Sequence, residues 1–269
     1  MIFASPHSGR LYPNELLSRS VLSPLALRSS EDAFVDDLFG AAPAEGAPIL
    51  TARLPRAWLD LNRASDELDP ALFDGLGRGP HNPRVASGLG VVPRVVSGGR
   101  AIYRGKLDLV TAQRRIRQVW QPYHATLHRL IEESHDAFGQ AVLIDCHSMP
   151  HEALDGVSVG GRRPNVVLGD RYGAAADPDL VDAVERAFEA EGMIVSRNAP
   201  FAGAFITQHY GRPARGRHVV QVEIDRSLYM NEATIEPHSG YAQVKATLTR
   251  VLAEITRIGR PADTALAAE

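Results

Sequence analysis

The chain has 269 residues, enough for one α/β domain with a sizeable core, and a formal charge of -3 from 29 basic and 32 acidic residues. That balance leaves no electrostatic footprint for nucleic acid or an anionic membrane, so a small molecule is the expected partner. A lone cysteine, Cys146, excludes an internal disulfide framework; no run reaches transmembrane length, and MIFASPHSGRLYP lacks the charged and apolar regions of an export signal, so a cytoplasmic protein is expected.

In chain order, SSEDAFVDDLFGAA (29–42) spaces Phe34, Val35, Leu38, Phe39 and Ala42 as a helix does, with acidic residues where the first turn's amides lack partners; a helix beginning near Asp32 is predicted. APILTA and RAWLDLN read as two short strands, the second ending in Asp60, Asn62 and Arg63. Residues 65–105 are rich in Gly and Pro and longer than an ordinary connection, which suits a functional or mobile loop. One apolar stripe (Ile116, Val119, Trp120, Tyr123, Leu127, Leu130, Ile131) predicts a long helix over 109–138, stopped by Gly139. The uniformly apolar AVLI (141–144) fits a strand buried on both faces, and it runs into Asp145, Cys146 and His147, at the strand end where open α/β sheets place their ligands. NVVLG (165–169) predicts a further strand, and Asp177-Pro178 opens a helix carrying Leu180, Val181, Val184 and Phe188. In HVVQVEI (218–224) Glu223 falls on the side of Val219 and Gln221, away from Val220, Val222 and Ile224. A last helix holds Val244, Leu248, Val251, Leu252 and Ile255, and the tail from 259 is expected to fray.

His7, in SPHSG after a short apolar start, and His147 both stand at strand ends, where two neutral imidazoles can share one ion such as zinc. Hydrogen-bonded loop histidines are the plainer reading of either alone. A catalytic zinc takes three protein ligands and keeps a place for water, so a third ligand is needed; Asp32 and Asp36 qualify, although an acidic first turn is also stabilised by the helix dipole alone. Glu223 carries a charge that is costly to bury unless it is paired, for instance with Arg226, or its pKa is raised as suits a general base. In DLNR (60–63), Arg63 offers a fork for a carboxylate with Asn62 beside it, or a structural pair with Asp60 or Asp66. His124 and His128, four apart on the long helix, read as packing residues.

SPHSG, DLNR, DCHSMP, APFAGAFITQHYGRP and VQVEIDRSLYMNE, in this order between residues 5 and 232, resemble the N-formylglutamate amidohydrolase family. The resemblance implies a single-domain α/β fold, a mixed sheet flanked by helices and zinc-carboxypeptidase-like, over residues 1–258, and hydrolysis of N-formyl-L-glutamate to formate and L-glutamate in histidine breakdown. It implies one zinc ion on His7, Asp32 and His147, with Glu223 activating water and a cation, Arg56 or Arg63, steadying the oxyanion. Asn62 and Arg63 would anchor one end of the substrate, and His209, Arg212 or Arg226 the other. Related carboxypeptidase-type enzymes place Glu three residues after the first histidine, where this chain has Arg10; Asp32 resembles the family's acidic position ahead of the VDDLF segment. A hydrolase of another N-acyl amino acid and a non-catalytic binding protein that keeps the pocket are the rival readings.

Overall fold

The computed structural model describes residues 1–77 and 82–258; the tail expected to fray from 259 lies outside the described residues. The strands are β1 (Ile2–Ser5), β2 (Ile49–Thr51), β3 (Ala141–Met149), β4 (Val166–Gly169), β5 (Val195–Arg197) and β6 (Arg217–Asp225), with a small hairpin of β7 (Met230–Asn231) and β8 (Glu236–Pro237). The α-helices are α1 (Asn14–Arg19), α2 (Pro24–Arg28), α3 (Val35–Leu38), α4 (Pro83–Ala86), α5 (Leu109–Arg115), α6 (Gln121–Phe138), α7 (Pro178–Ala190), α8 (Phe205–Tyr210) and α9 (Tyr241–Ile255). The main sheet has the order β2-β1-β3-β6-β4-β5, parallel throughout except that β4 runs antiparallel to β6. It is the mixed sheet flanked by helices that the sequence implied. No described helix is long and apolar enough to cross a membrane.

The two faces of the sheet bury different sets of side chains, because successive strand residues point to opposite sides. Phe3, Val142, Ile144, Cys146, Val220, Val222 and Ile224 pack with α3, α7 and α9, whose apolar stripes (Val181, Val184, Phe188; Leu248, Val251, Leu252, Ile255) are all buried. Removing one such side chain from water stabilises the fold by roughly 1.5–3 kcal/mol. The opposite face carries Ile2, Ala4, Leu143 and Val219 and packs on α6. Asp145 and His147 share the parity of Leu143, and Gln221 and Glu223 that of Val219. Continuing each strand by two or four residues on this second face therefore turns an apolar surface into an ionisable one.

Three expectations need correction. The helix predicted over 29–42 is a single turn, α3, preceded by Phe34 in the left-handed region (φ 68) and followed by a 3-10 turn at Ala42–Glu45. Asp32 and Ala33 remain outside it because they are tied elsewhere: Asp32 N–H donates to the His7 carbonyl (3.0 Å) and Tyr229 Oη to the Ala33 carbonyl (3.1 Å). RAWLDLN is a turn and not a strand. The Trp58 and Leu59 amides donate to the Pro55 carbonyl and Arg56 pairs with Asp60 four residues on, which requires helical curvature. The long helix over 109–138 contains a π turn at Ile116–Trp120 between α5 and α6. Gly139, at φ 72, ends it as expected. The long Gly/Pro-rich connection is ordered in its described part, with α4 and a turn at Ser97–Gly99.

Candidate metal centre and active site

Adjacent parallel strands β1, β3 and β6 end at the same edge of the sheet, and each delivers a functional side chain there. His7 lies in the turn after β1, and His147 and Glu223 are cross-strand partners on β3 and β6. The two imidazole centroids are 4.8 Å apart. Asp32 stands between them, with Oδ2 2.9 Å from His147 Nδ1 and 3.5 Å from His7 Nδ1. One donor atom from each of the three residues lies within 4.8 Å of the others, and all three residues are buried.

The outer nitrogens explain how these side chains are aimed. His7 Nε2 meets Asp60 Oδ1 at 2.7 Å, and His147 Nε2 meets Asp145 Oδ2 at 3.1 Å. A carboxylate behind a ligating histidine fixes the ring and leaves the other nitrogen's lone pair for the cation. Among the described residues His7 Nδ1 is buried without a hydrogen-bond partner, an atom that a metal ion would satisfy. Two imidazoles and one carboxylate, each histidine backed by an aspartate, form a three-ligand set with room for a fourth group, and so fit a catalytic divalent cation. Burial opposes charge on Asp32, Asp60 and His147. Even so, the hydrogen bond from His147 and the nearby His7 ring hold the Asp32 carboxyl well below the usual range, and Arg56 and His7 do the same for Asp60. Burial likewise disfavours the imidazolium of His147, but Asp145 and Asp32 prevail and raise its pKa well above that of an ordinary histidine.

Glu223 borders this cluster without joining it. Burial pushes its carboxyl up to about 7, with Asp32 adding to the rise and His147, Arg226 and Arg56 opposing it. Gln221, two residues earlier on the same face, donates from Nε2 to Glu223 Oε1 at 2.9 Å. Arg56 donates from Nε to Asp60 Oδ2 (2.9 Å) and, despite its burial, is held charged by Asp60 and Asp32. These groups open into a cavity of about 750 Å³ also bordered by Asn62, Arg63 and Arg226.

The model of the N-formylglutamate amidohydrolase family matches residues 1–230. The chain belongs to that family. It is 30% identical to an N-formylglutamate deformylase of Pseudomonas putida over 94% of this chain and 88% of the relative. It is 32% identical to one from Pseudomonas aeruginosa over 86% and 82%. The crystal structure of an N-formylglutamate amidohydrolase from Ralstonia eutropha JMP134 superposes with a TM-score of 0.88 at 36% identity, covering 96% of this chain and 93% of that one. A gene product of Agrobacterium tumefaciens shares the fold alone, with a TM-score of 0.64 at 16% identity over 94% and 89% of the two chains.

Within this amidohydrolase, the structure brings together His7, Asp32, His147, Glu223, Arg56, Asn62, Arg63 and Arg226 at one cavity. Asn62 Oδ1 accepts from the Ile206 amide (2.8 Å), which turns Nδ2 toward Asp145 Oδ2 (3.4 Å) and His147. Arg226 spans Asp32 Oδ1 (2.8 Å) and Ser148 Oγ (3.1 Å). His209 and Arg212 are not brought to the cavity: α8 presents its N-terminal end to the site, whereas they lie exposed at its far end, with Arg212 donating to the Gln208 and Gly211 carbonyls. Asp36 pairs outside the cluster with Arg10. Sequence reasoning missed Asp60 and Asp145 as the carboxylates behind the histidines and Gln221 as the partner of Glu223. The D-x-H spacing in DCH was the available signal for Asp145, since residues two apart share a strand face.

Proposed function

We propose that this protein is a zinc-dependent N-formylglutamate deformylase that hydrolyses N-formyl-L-glutamate to formate and L-glutamate. The observation that carries the reading is the buried pair of aspartate-backed histidines sharing Asp32, set beside a buried glutamate whose carboxyl is raised to about 7. The curated relatives that match most of the chain bear the same activity in their names. A zinc ion held by His7, Asp32 and His147 would supply polarisation of the scissile carbonyl and a lowered pKa for water. Glu223 takes a proton from the water that attacks the formyl carbon. As the C–N bond breaks, the same carboxyl returns that proton to the departing nitrogen, so formate and the free amine leave together. Arg56, charged and bordering the cavity, steadies the negative oxygen of the tetrahedral intermediate. Gln221 holds the Glu223 carboxyl in place through its amide. Arg63, a buried guanidinium bonded among the described residues to the Leu89 and Asn62 carbonyls alone, grips the substrate's α-carboxylate.

The test is formate release together with metal content of the purified protein, using N-formyl-, N-acetyl- and N-succinyl-L-glutamate. About one zinc per chain with turnover of the formyl compound is expected. Turnover confined to the larger acyl groups would assign it to another N-acyl amino acid, and a metal-free chain that binds glutamate derivatives without turnover would make it a binding protein.

A further inference from the structure

Among the described residues, five arginines border the cavity: Arg56, Arg63, Arg84, Arg171 and Arg226. Arg56 and Arg226 are engaged by Asp60 and Asp32. The guanidinium of Arg63 has only backbone carbonyls, and those of Arg84 and Arg171 have neither a hydrogen bond nor an ion pair among the described residues. Arg63 and Arg84 share one wall, with Arg63 Nε donating to the Leu89 carbonyl (2.9 Å) and the Leu89 amide to the Arg84 carbonyl (2.9 Å), so the two form one positive pole. Arg171 belongs to a different wall, the turn after β4.

That turn is held in a costly shape. Arg171 and Tyr172 have φ of 55 and 56, and Asn198, which packs beside them and also borders the cavity, has φ of 59. A side chain in this left-handed region is disfavoured, and such residues persist where surrounding bonds impose them, often at ligand sites. Here a bracket of side-chain hydrogen bonds does so. Asn198 Oδ1 accepts from the Asp170 amide (3.1 Å) and the Tyr172 amide (3.3 Å), Asn198 Nδ2 donates to Asp170 Oδ1 (2.6 Å), and Asp170 Oδ2 accepts from the Gly173 amide (3.0 Å). The Arg171 amide itself donates to the Ala202 carbonyl at 2.8 Å. A mere connection between β4 and α7 needs none of this. The bracket fixes an unpaired cation at the edge of a cavity whose other free cations form a separate pole.

We propose that Arg171 grips the carboxylate on the substrate's amino-acid side chain and thereby selects acidic N-acyl amino acids over neutral ones of the same shape. This rests on the deformylase reading above, with the α-carboxylate at Arg63. A guanidinium gains its bonds to a carboxylate only when the ligand carries that charge, so the effect must depend on the substrate.

The experiment compares N-formyl-L-glutamate with N-formyl-L-glutamine, which differ in that one charge, on the full chain and two variants. In Arg171→Ala, kcat/KM for the glutamate compound should fall roughly 10- to 100-fold through KM, while the glutamine compound changes by less than about twofold. Arg63→Lys should raise KM for both, because both carry the α-carboxylate. The proposal is overturned if Arg171→Ala weakens both substrates alike or neither, or if Arg63→Lys alone removes the preference. Absence of formate release from either compound by the wild-type protein would instead sink the deformylase reading. Calorimetric titration with L-glutamate and L-glutamine then decides the role of Arg171 separately. Discrimination present in the wild type and lost in Arg171→Ala supports it, whereas discrimination that persists in the variant or is absent from the wild type overturns it.

Discussion

The strand-borne and loop-borne halves of the site are held by different forces. His147 and Glu223 sit opposite each other on β3 and β6, nine-residue strands paired along their whole lengths, so the backbone ladder sets their separation. Asp32, Asp60, Asn62 and Arg63 lie on segments without regular structure, each placed by individual bonds. The Asp60 amide donates to the Val91 carbonyl (2.8 Å) and the Asn62 amide to Asp60 Oδ1 (2.8 Å). His124 Nε2 of α6 donates to the Leu61 carbonyl (2.9 Å), and Trp120 Nε1, from the π turn before it, to the Arg63 carbonyl (2.9 Å). Chemistry rests on the stiffer half and ligand orientation on the more adjustable one. Substitutions in the first half should therefore change rate without moving anything, and substitutions in the second should change affinity or stability.

The largest expected effect tests the strand half. Glu223→Gln is nearly isosteric and should retain metal content and melting temperature while kcat falls roughly 10²- to 10⁴-fold. Loss of metal along with activity would make Glu223 a ligand and break the division. Next comes the support behind His7: Asp60→Asn keeps the shape but removes the carboxylate, and the affinity for zinc, read by competition with a chelator, should weaken by roughly 10- to 100-fold. Unchanged affinity would mean that the loop half does not orient the ligand. The third test concerns α6, and in any single pH unit its effect is the smallest. Burial lowers the pKa of His124 from 6.5 to about 4, with His209 contributing and the bond to Leu61 opposing. The unfolded chain therefore binds a proton that the fold refuses, so this contribution is intact above pH 6.5 and is lost progressively as pH falls toward 4, at up to about 1.4 kcal/mol per unit. Chemical denaturation across this range should show that slope, and His124→Gln, which does not titrate, should reduce it; an identical slope in the variant would place the titration elsewhere.

The same division decides what was legible in the sequence. AVLIDCH and HVVQVEI announced their strands because burial on both faces demands apolar runs, and a charged residue interrupting such a run is conspicuous; His147 and Glu223 were found that way. The loop half offered no period to read. RAWLDLN mimicked a strand because alternation is local, whereas the Pro55 turn and the bonds to Val91, α6 and α8 that shape it come from elsewhere in the chain. The residues left Asp32 and Asp36 as equal candidates and the family resemblance chose Asp32, while the helix expected around it is one turn under tertiary ties. His209 and Arg212 share a motif with residues that line the cavity yet lie away from it, because the two ends of α8 face different ways.

Cys146 lies between Asp145 and His147 on the central strand, on the opposite face, fully buried and with its thiol pushed well above the ordinary pKa by that burial. A protonated, enclosed thiol is inert toward alkylating reagents, which attack as the thiolate is exposed. Because the chain has only this one cysteine, the pace at which it is alkylated in native buffer becomes a clock for excursions that part β3 from its neighbours. The amino acid least suited to the chemistry of the site is thus its most selective built-in reporter.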